Sequence, residues 1–128
     1  MSTLTTLLTT LLHLLIPTTT TAYAADNARI TFYDNQDASN INFGACEQPL
    51  GTLAAPFGAA MSFADNGNKQ ACGKCIEVHY QGKGVKVQVV DKCSACPQNG
   101  LDLWKGAFET LASPDVGVLY TDWEWVGC

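Results

Sequence analysis

The chain has 128 residues and the composition of a single folded domain, with 47% hydrophobic and 15% charged residues. Twelve acidic side chains against seven basic ones give a formal charge of −5 at pH 7. This balance argues against a nucleic-acid binder, since such proteins neutralise phosphates with lysine and arginine. It also argues against polyanionic ligands such as pectin or acidic lipid surfaces, which the protein would repel at long range.

Residues 1–24 have the pattern of a secretory signal peptide. A short apolar stretch, Leu11–Ile16, ends at Pro17, and Ala22-Tyr23-Ala24 supplies small residues at the cleavage positions. The stretch is too short to span a bilayer, which needs about 20 apolar residues. We therefore expect a secreted, extracellular protein with no membrane partner, whose mature chain is a single domain over 25–128.

The next segments alternate between strand and loop patterns. Ala28–Tyr33 alternates and is rich in strand-forming residues, which predicts a β-strand. The polar segment 34–42 is typical of a loop. The apolar, alanine-rich segment 50–63 predicts a short strand and one helical turn, and Asp65–Asn68 predicts a turn.

A β-hairpin is the clearest predicted element. Cys75–Tyr80 and Val85–Val89 both alternate, and Gln81–Gly84 joins them as a turn. Val90 and Asp91 then break the alternation, which leaves Asp91 at the end of the strand. The predicted polar face of the hairpin carries Glu77, His79, Lys86 and Gln88.

The last third of the chain combines strands with one helix. Leu101–Leu103 predicts a short strand, and the apolar spacing of Trp104–Ala112 predicts a helix that Pro114 follows. Gly117–Val126 predicts the last strand. Many short strands with one or two short helices, and no repeat or linker, predict an all-β fold that closes into a small barrel.

Six cysteines remain in 25–128, and their spacing fits two arrangements. Cys72-x2-Cys75 and Cys93-x2-Cys96 match the spacing of a four-thiolate zinc site. An exported protein, however, meets oxidising conditions that convert thiols to disulfides. We therefore favour three disulfides and no metal, although the spacing leaves every pairing open. The six residues are Cys46, Cys72, Cys75, Cys93, Cys96 and Cys128.

The sequence gives little support for nucleophilic catalysis or for phosphate binding. His79 is the one histidine in 25–128, and its position on a polar strand face is typical of a solvated side chain. No serine lies in a G-x-S-x-G setting, and no glycine-rich phosphate loop is present. We expect no cofactor.

Two aspartates in apolar surroundings are the candidate chemical groups. Asp91 follows the apolar strand, and Asp102 lies between Leu101 and Leu103. Desolvation of the charged form raises the pKa of such an acid, which suits a proton donor. The alternative is structural: Asp91 caps a loop and Asp102 begins the helix.

The aromatic residues divide into core and surface candidates. Trp123 and Trp125 point to one face of the last strand, which is more typical of a core than of a sugar-binding surface. Trp104 has a better prospect of exposure at the start of the helix. Phe32 and Tyr33 point to opposite strand faces, so one of them can be presented to a ligand.

Five motifs occur in order over nearly all of the mature chain. They are Thr31-Phe32-Tyr33, Gly44-Ala45-Cys46, Cys72-Gly73-Lys74-Cys75, Val89-Val90-Asp91-Lys92-Cys93, and Leu101-Asp102-Leu103 with Ala107, Phe108 and Leu111. In this order and spacing they resemble the expansin-like proteins, and they look most like the small single-domain fungal loosenins. The same domain resembles barwin, rare lipoprotein A and the family 45 glycoside hydrolases.

This resemblance implies a six-stranded double-psi β-barrel with an open groove for an extended polysaccharide. Asp102 matches the general acid of the hydrolases, and Asp91 matches the second groove aspartate. Thr31 and Tyr33 match groove residues of the first strand, and Trp104 is a further expected sugar contact. The disulfides implied are Cys46–Cys72, Cys75–Cys128 and Cys93–Cys96.

Departures from the family pattern bear on catalysis. Glu47 stands where the usual Gly-Ala-Cys-Gly motif ends, and Leu101 stands where full expansins carry an aromatic. The hydrolases place a general base where this chain has Asn35, and Asp34 is one residue out of register and on the other strand face. Inverting hydrolysis needs a base carboxylate roughly 6.5–9.5 Å from the acid. We therefore expect a groove that binds glycan but cleaves it poorly, with Asp34 as a peripheral binding residue.

The prediction from sequence is a monomeric, non-hydrolytic protein that binds and loosens cell-wall polysaccharide, with neutral glucan or chitin as the partner. One alternative is a small secreted inhibitor of papain-like cysteine proteases, or a barwin-like defence protein. In an inhibitor, loops such as Asn66–Lys69 or Pro97–Gly100 would enter the protease cleft. A third reading is weak glycoside hydrolysis with Asp34 as an off-register base.

Overall fold

The computed structural model describes residues 14–17, 24–34, 44–48, 52–62 and 68–128. Most of the predicted signal, the position Asn35 and most of the Asp65–Asn68 turn lie outside these ranges. Residues 14–17 have no regular structure, and their side chains are exposed. No helix in the described ranges is long and apolar enough to cross a membrane.

Six strands close into a barrel in the order β1–β5–β2–β4–β3–β6. Two pairs, β1–β5 and β2–β4, are parallel, and the other four neighbours are antiparallel. The predicted all-β, six-stranded double-psi barrel with a short helix is confirmed. The elements are β1 Ala24–Tyr33, β2 Phe57–Met61, β3 Cys75–Tyr80, β4 Lys83–Lys92, β5 Leu101–Trp104, α1 Lys105–Leu111 and β6 Leu119–Val126, with 3-10 turns at Asn68–Ala71 and Pro114–Val116.

The core fills the barrel and extends under α1. Trp123 is buried as predicted. Trp125 is partly buried and packs against the core, and the ring centroids of the two tryptophans are 5.1 Å apart. Phe108 of α1 contacts the ring of Phe32 at 4.8 Å, which holds the helix against β1. The largest fully buried side chains are Trp123, Phe108, Ile30, Met61, Ile76, Leu101, Leu103, Leu111, Val78, Val87, Val89 and Val90.

The hairpin differs from its prediction in two details. Its turn is only the two residues Gln81 and Gly82, both at positive φ (47° and 78°), so β4 begins at Lys83 rather than Val85. Gln88 points away from the barrel interior, as the alternation predicts, yet it is buried. Loop segments cover it: its amide accepts from the Ala54 N–H at 2.8 Å and donates to the Gly73 carbonyl at 2.9 Å.

A β-bulge at Val90 explains the break in alternation after Val89. Ala59 pairs with Val89, but Ala60 pairs with Asp91, so Val90 is the extra residue in β4. Both Val89 and Val90 are buried. Bulges of this kind bend a strand and change the direction of the side chains that follow. Here the side chain that follows is Asp91.

Three disulfides fasten loops and the carboxyl terminus to the barrel. Cys46–Cys72 joins two loops beside β4, Cys75–Cys128 attaches the chain end to β3, and Cys93–Cys96 closes a tight loop after β4. These are the pairs that the resemblance implied. All four cysteines of the alternative zinc spacing are therefore engaged in bridges, and the described residues contain no free cysteine.

Candidate functional site

The candidate site lies on the outer face of β1 and β5, where their side chains alternate. Ile30, Leu101 and Leu103 are fully buried. Because neighbouring side chains in a strand point to opposite faces, Thr31 and Tyr33 point outward from the barrel. Asp102 and Trp104 do the same from β5. The parallel register pairs Thr31 with Asp102 and Tyr33 with Trp104.

Asp102 is half-buried and is held by a hydroxyl. The Thr31 Oγ1 donates a hydrogen bond to its Oδ1 at 2.9 Å. Burial raises the pKa of Asp102 above the ordinary carboxyl value of 3.8; the Thr31 hydrogen bond and nearby Arg29 oppose the shift, and nearby Asp91 adds to it. The predicted acid therefore retains a proton more readily than a free carboxyl. Its role as the first residue of the helix is excluded, because α1 begins after Trp104.

Tyr33 and Trp104 form the aromatic part of the site. The indole Nε1 of Trp104 donates to the Tyr33 hydroxyl oxygen at 2.9 Å. Burial raises the pKa of Tyr33 to about 12, with the Trp104 hydrogen bond lowering it and Asp91 and Asp102 raising it. The phenol therefore keeps its proton at neutral pH and can donate it to a ligand. The neighbouring Phe32 packs against the core, so the two residues point to opposite faces as predicted.

Gly58 determines where the Trp104 indole lies. A Cβ at Gly58 would come within 2.6 Å of the indole and within 2.8 Å of the Val90 side chain. The indole consequently lies directly over Gly58 of β2. A larger residue at position 58 would displace the ring. Sequence analysis did not identify Gly58, because its reason is a contact between strands that are distant in the chain.

Asp91 connects the site to the loop of the Gly44-Ala45-Cys46 motif. Its Oδ1 accepts the backbone N–H groups of Ala45 and Lys92, both at 2.8 Å. Gly44 packs so closely on β4 that a Cβ there would lie 2.3 Å from the Val90 carbonyl oxygen. One carboxylate oxygen of Asp91 therefore anchors the loop, which is the structural role considered for this residue. The charge of Asp91 also raises the pKa values of Tyr33 and Asp102.

The departure at Glu47 has a backbone consequence. Its N–H donates to the Gly44 carbonyl at 2.8 Å, closing a turn, and its φ is +57°. Glycine adopts this left-handed conformation without steric cost, whereas other residues are strained in it. The usual glycine of the motif is thus the residue that this turn favours. The exposed carboxylate of Glu47 pairs with Lys69 at 3.8 Å.

Arg29 is a site residue that sequence analysis missed. It lies two residues before Thr31 on the same outward face of β1, and its charge lowers the pKa of Asp102. The alternation of Arg29, Thr31 and Tyr33 along the strand is the sequence signal that places Arg29 on this face. Asp34 follows β1, is exposed, and lies one residue beyond Tyr33.

The arrangement combines hydrogen-bonding groups with aromatic surface on an open face. It offers a carboxyl group with a raised pKa, a protonated phenol, a threonine hydroxyl, an indole ring next to the phenol and, at the other end, the guanidinium of Arg29. Such a set can bind a neutral polyhydroxyl ligand through donors, acceptors and ring surface together. The described residues contain no group of three or more histidine, cysteine or acidic side chains arranged to hold a metal ion.

The closed barrel defines a small double-psi barrel protein, with Thr31, Tyr33, Asp102 and Trp104 on its outward face. Comparison with protein families agrees with the geometry. The chain belongs to the Barwin family, whose model matches residues 24–128. The predicted relationship to expansin-like and barwin-related proteins is confirmed.

The similar proteins include a papain inhibitor and an expansin. The chain is 32% identical over 96 residues to a papain inhibitor of Streptomyces mobaraensis, covering 71% of this chain and 64% of that protein. A solved Streptomyces papain inhibitor superposes with a TM-score of 0.63 at 28% identity, covering 81% of this chain and 94% of that one. A mutant Clavibacter michiganensis expansin, in complex with cellohexaose, superposes with a TM-score of 0.69 at 25% identity. The match covers 81% of this chain and only 50% of the expansin.

Proposed function

We propose that this is a secreted, non-hydrolytic protein of the Barwin family that binds and loosens cell-wall polysaccharide. The observation that carries the proposal is the outward row in which Thr31 contacts Asp102 and Trp104 contacts Tyr33, each at 2.9 Å. Three members of this row keep a group that can contact a ligand: the carboxyl oxygens of Asp102, the phenol proton of Tyr33 and the indole face of Trp104. A glycan chain lying along it would exchange hydrogen bonds with neighbouring chains for hydrogen bonds with the protein.

The charge of the protein favours a neutral polysaccharide. The formal charge is −5, and the groove itself contains Asp91 and Asp102. A polyanion such as pectin would be repelled, whereas glucan and chitin carry no charge to repel. Cellulose and chitin are therefore the ligands to test first, and pectin serves as the negative comparison.

The carboxylates of the groove favour binding over hydrolysis. Asp102 has the raised pKa of a proton donor, but a hydrolase also needs a base that activates water. One oxygen of Asp91 is occupied by two backbone N–H groups. Asp34 follows Tyr33 directly and belongs to the other face of the chain by alternation. Release of reducing sugar from a soluble β-glucan would contradict this part of the proposal.

Expansin similarity supports the polysaccharide proposal. The expansin structure that superposes best among those quoted above contains cellohexaose, a neutral β-glucan fragment. The match covers 50% of that expansin, and the other half of the expansin lies outside the alignment. An experiment on this protein therefore tests whether the barrel alone binds polysaccharide.

A binding panel tests the proposal. The wild-type protein should be retained by insoluble cellulose or chitin and not by pectin. Asp102→Ala should lose this retention because it removes the carboxyl group from the centre of the row. Asp115→Ala is the matched control, since Asp115 is an exposed acid on the 3-10 turn Pro114–Val116. Retention of wild type and Asp102→Ala to the same extent would refute the proposal.

Inhibition of a papain-like cysteine protease is the second candidate function. Two observations favour it: the 32% identity to the Streptomyces mobaraensis papain inhibitor, and the superposition that covers 94% of the solved inhibitor. In the candidate loop Pro97–Gly100, the side chains of Pro97 and Gln98 are exposed. The Trp123 indole N–H donates a hydrogen bond to the Asn99 carbonyl oxygen at 2.8 Å. The other candidate loop, Asn66–Lys69, lies partly outside the described residues.

A papain assay separates the two functions. If the protein is an inhibitor, it should slow papain at stoichiometric concentrations, and Gln98→Ala should weaken the inhibition while Asp102→Ala leaves it unchanged. If the polysaccharide proposal is correct, papain activity should be unaffected at concentrations that saturate cellulose or chitin.

A further inference from the structure

We propose that Tyr120 and Arg29 form an additional sugar-binding position at the β6 side of the groove. The proposal rests on the proposed polysaccharide function and deepens it. A glycan chain would then contact aromatic side chains on both sides of Asp102: the Tyr33 and Trp104 pair on one side, and Tyr120 on the other.

The register of β1 with β6 places Tyr120 on the groove face. Ile30 pairs with Leu119 in the antiparallel ladder, and both are buried. The next pair, Arg29 with Tyr120, must therefore point outward. Arg29 shares its face of β1 with Thr31, so Tyr120 continues the row that contains Asp102.

The spacing suits a long ligand. Strands lie about 4.8 Å apart and rise about 3.3 Å per residue, which puts Tyr120 and Asp102 about 12 Å apart along the barrel surface. Trp104 lies on the opposite side of Asp102, where it forms the next outward-facing pair with Tyr33 of β1. A short oligosaccharide centred on Asp102 would contact one aromatic group, and a longer one would contact both.

Tyr120 is unusual in its exposure. Its side chain is 61% exposed, and within the described barrel it and Val116 are the large hydrophobic side chains that face solvent. A single exposed apolar residue needs no function. What distinguishes Tyr120 is its alignment with the groove and its pairing with Arg29, whose guanidinium supplies five donors for sugar hydroxyls.

A length series of oligosaccharides tests this proposal. Binding of cello- and chito-oligosaccharides of three and six sugars is measured by titration calorimetry. Tyr120→Thr keeps a strand-forming residue and removes the ring. We expect it to weaken binding of the six-sugar ligand about tenfold and to leave the three-sugar ligand unchanged. Tyr120→Phe should bind both ligands like wild type, since the ring remains.

The control is His79→Thr, which removes an exposed ring from β3, the strand on the other side of β6 from β1. It should bind both ligands like wild type. Equal affinity of wild type and Tyr120→Thr for the six-sugar ligand would overturn the additional position alone. A wild-type protein that binds no oligosaccharide of either length would overturn the proposed function, and this inference with it.

Discussion

Replacing Asp102 by asparagine should stabilise the folded protein at neutral pH while it weakens glycan binding. Asparagine has nearly the shape of aspartate and can still accept the Thr31 hydrogen bond that the structure shows at 2.9 Å. The substitution therefore removes the charge with little change in packing. A residue whose charge is maintained for ligand binding, and not for stability, should respond in these opposite directions.

The sign of the stability effect follows from the pKa of Asp102. Burial raises this pKa above 3.8 in the folded protein, whereas the unfolded chain has the ordinary value. As pH falls, the folded protein takes up this proton first, so its stability increases through the window between the raised pKa and 3.8. Above the window, the ionised carboxylate is a net cost to folding. Asp102→Asn removes this cost, and the gain disappears below the window.

The expected loss of binding comes from the hydrogen bonds that a carboxylate makes. A hydrogen bond to a charged group contributes about 1.5–3 kcal/mol. Loss of one such bond to a sugar hydroxyl would raise Kd by roughly 10- to 150-fold. Because the asparagine amide can still form a neutral hydrogen bond with a sugar hydroxyl, residual binding should remain, in contrast to Asp102→Ala, which keeps no polar group at this position.

Thermal unfolding of wild type, Asp102→Asn and the control Asp115→Asn provides the stability measurement. At pH 7 the Tm of Asp102→Asn should exceed that of wild type, and the two should converge below pH 3.8. Titration with cello- or chito-oligosaccharide provides the binding measurement. A lower Tm for Asp102→Asn at pH 7, with wild-type affinity for glycan, would show that Asp102 is a structural residue.

Three further substitutions test the local structure. Glu47→Gly should raise the free energy of unfolding by about 1 kcal/mol, because glycine relieves the φ of +57° and the exposed ion pair with Lys69 contributes little; an unchanged Tm would contradict this. Gln81→Asn should add about 0.5 kcal/mol in urea unfolding, since asparagine suits the first position of a two-residue turn at positive φ; a loss of stability would refute that assignment. Tyr33→Phe should cost about 1 kcal/mol, because the Trp104 indole N–H loses its acceptor; equal urea midpoints would show that water replaces the phenol.

Local patterns predicted much of this fold. Alternation identified the hairpin strands, the opposite directions of Phe32 and Tyr33, and the inward direction of Trp123, because each depends on neighbours in the chain. The barrel topology came from a resemblance, since no local pattern determines that β1 pairs in parallel with β5. The confirmed barrel shows that the motifs carried this long-range information.

Other features depend on contacts that no local pattern contains. Gln88 is buried because distant loops supply partners for its amide. Position 58 requires glycine because the Trp104 indole lies directly over it. Arg29 and Tyr120 share a face only through the register of β1 with β6. Gln88, Gly58 and Tyr120 could be recognised only after the strands had been assembled, whereas the alternation along β1 already places Arg29 on the same face as Thr31.

The most direct test of the central claim is an amide chemical-shift map of the wild-type protein titrated with cello- or chito-oligosaccharides. The account predicts saturable shifts at Thr31, Tyr33, Asp102 and Trp104 with a neutral glycan, and no shifts at Gln98 and Asn99 of the candidate inhibitor loop. Absence of shifts along the Thr31–Asp102 row, together with shifts at Gln98 and Asn99 on addition of papain, would contradict it.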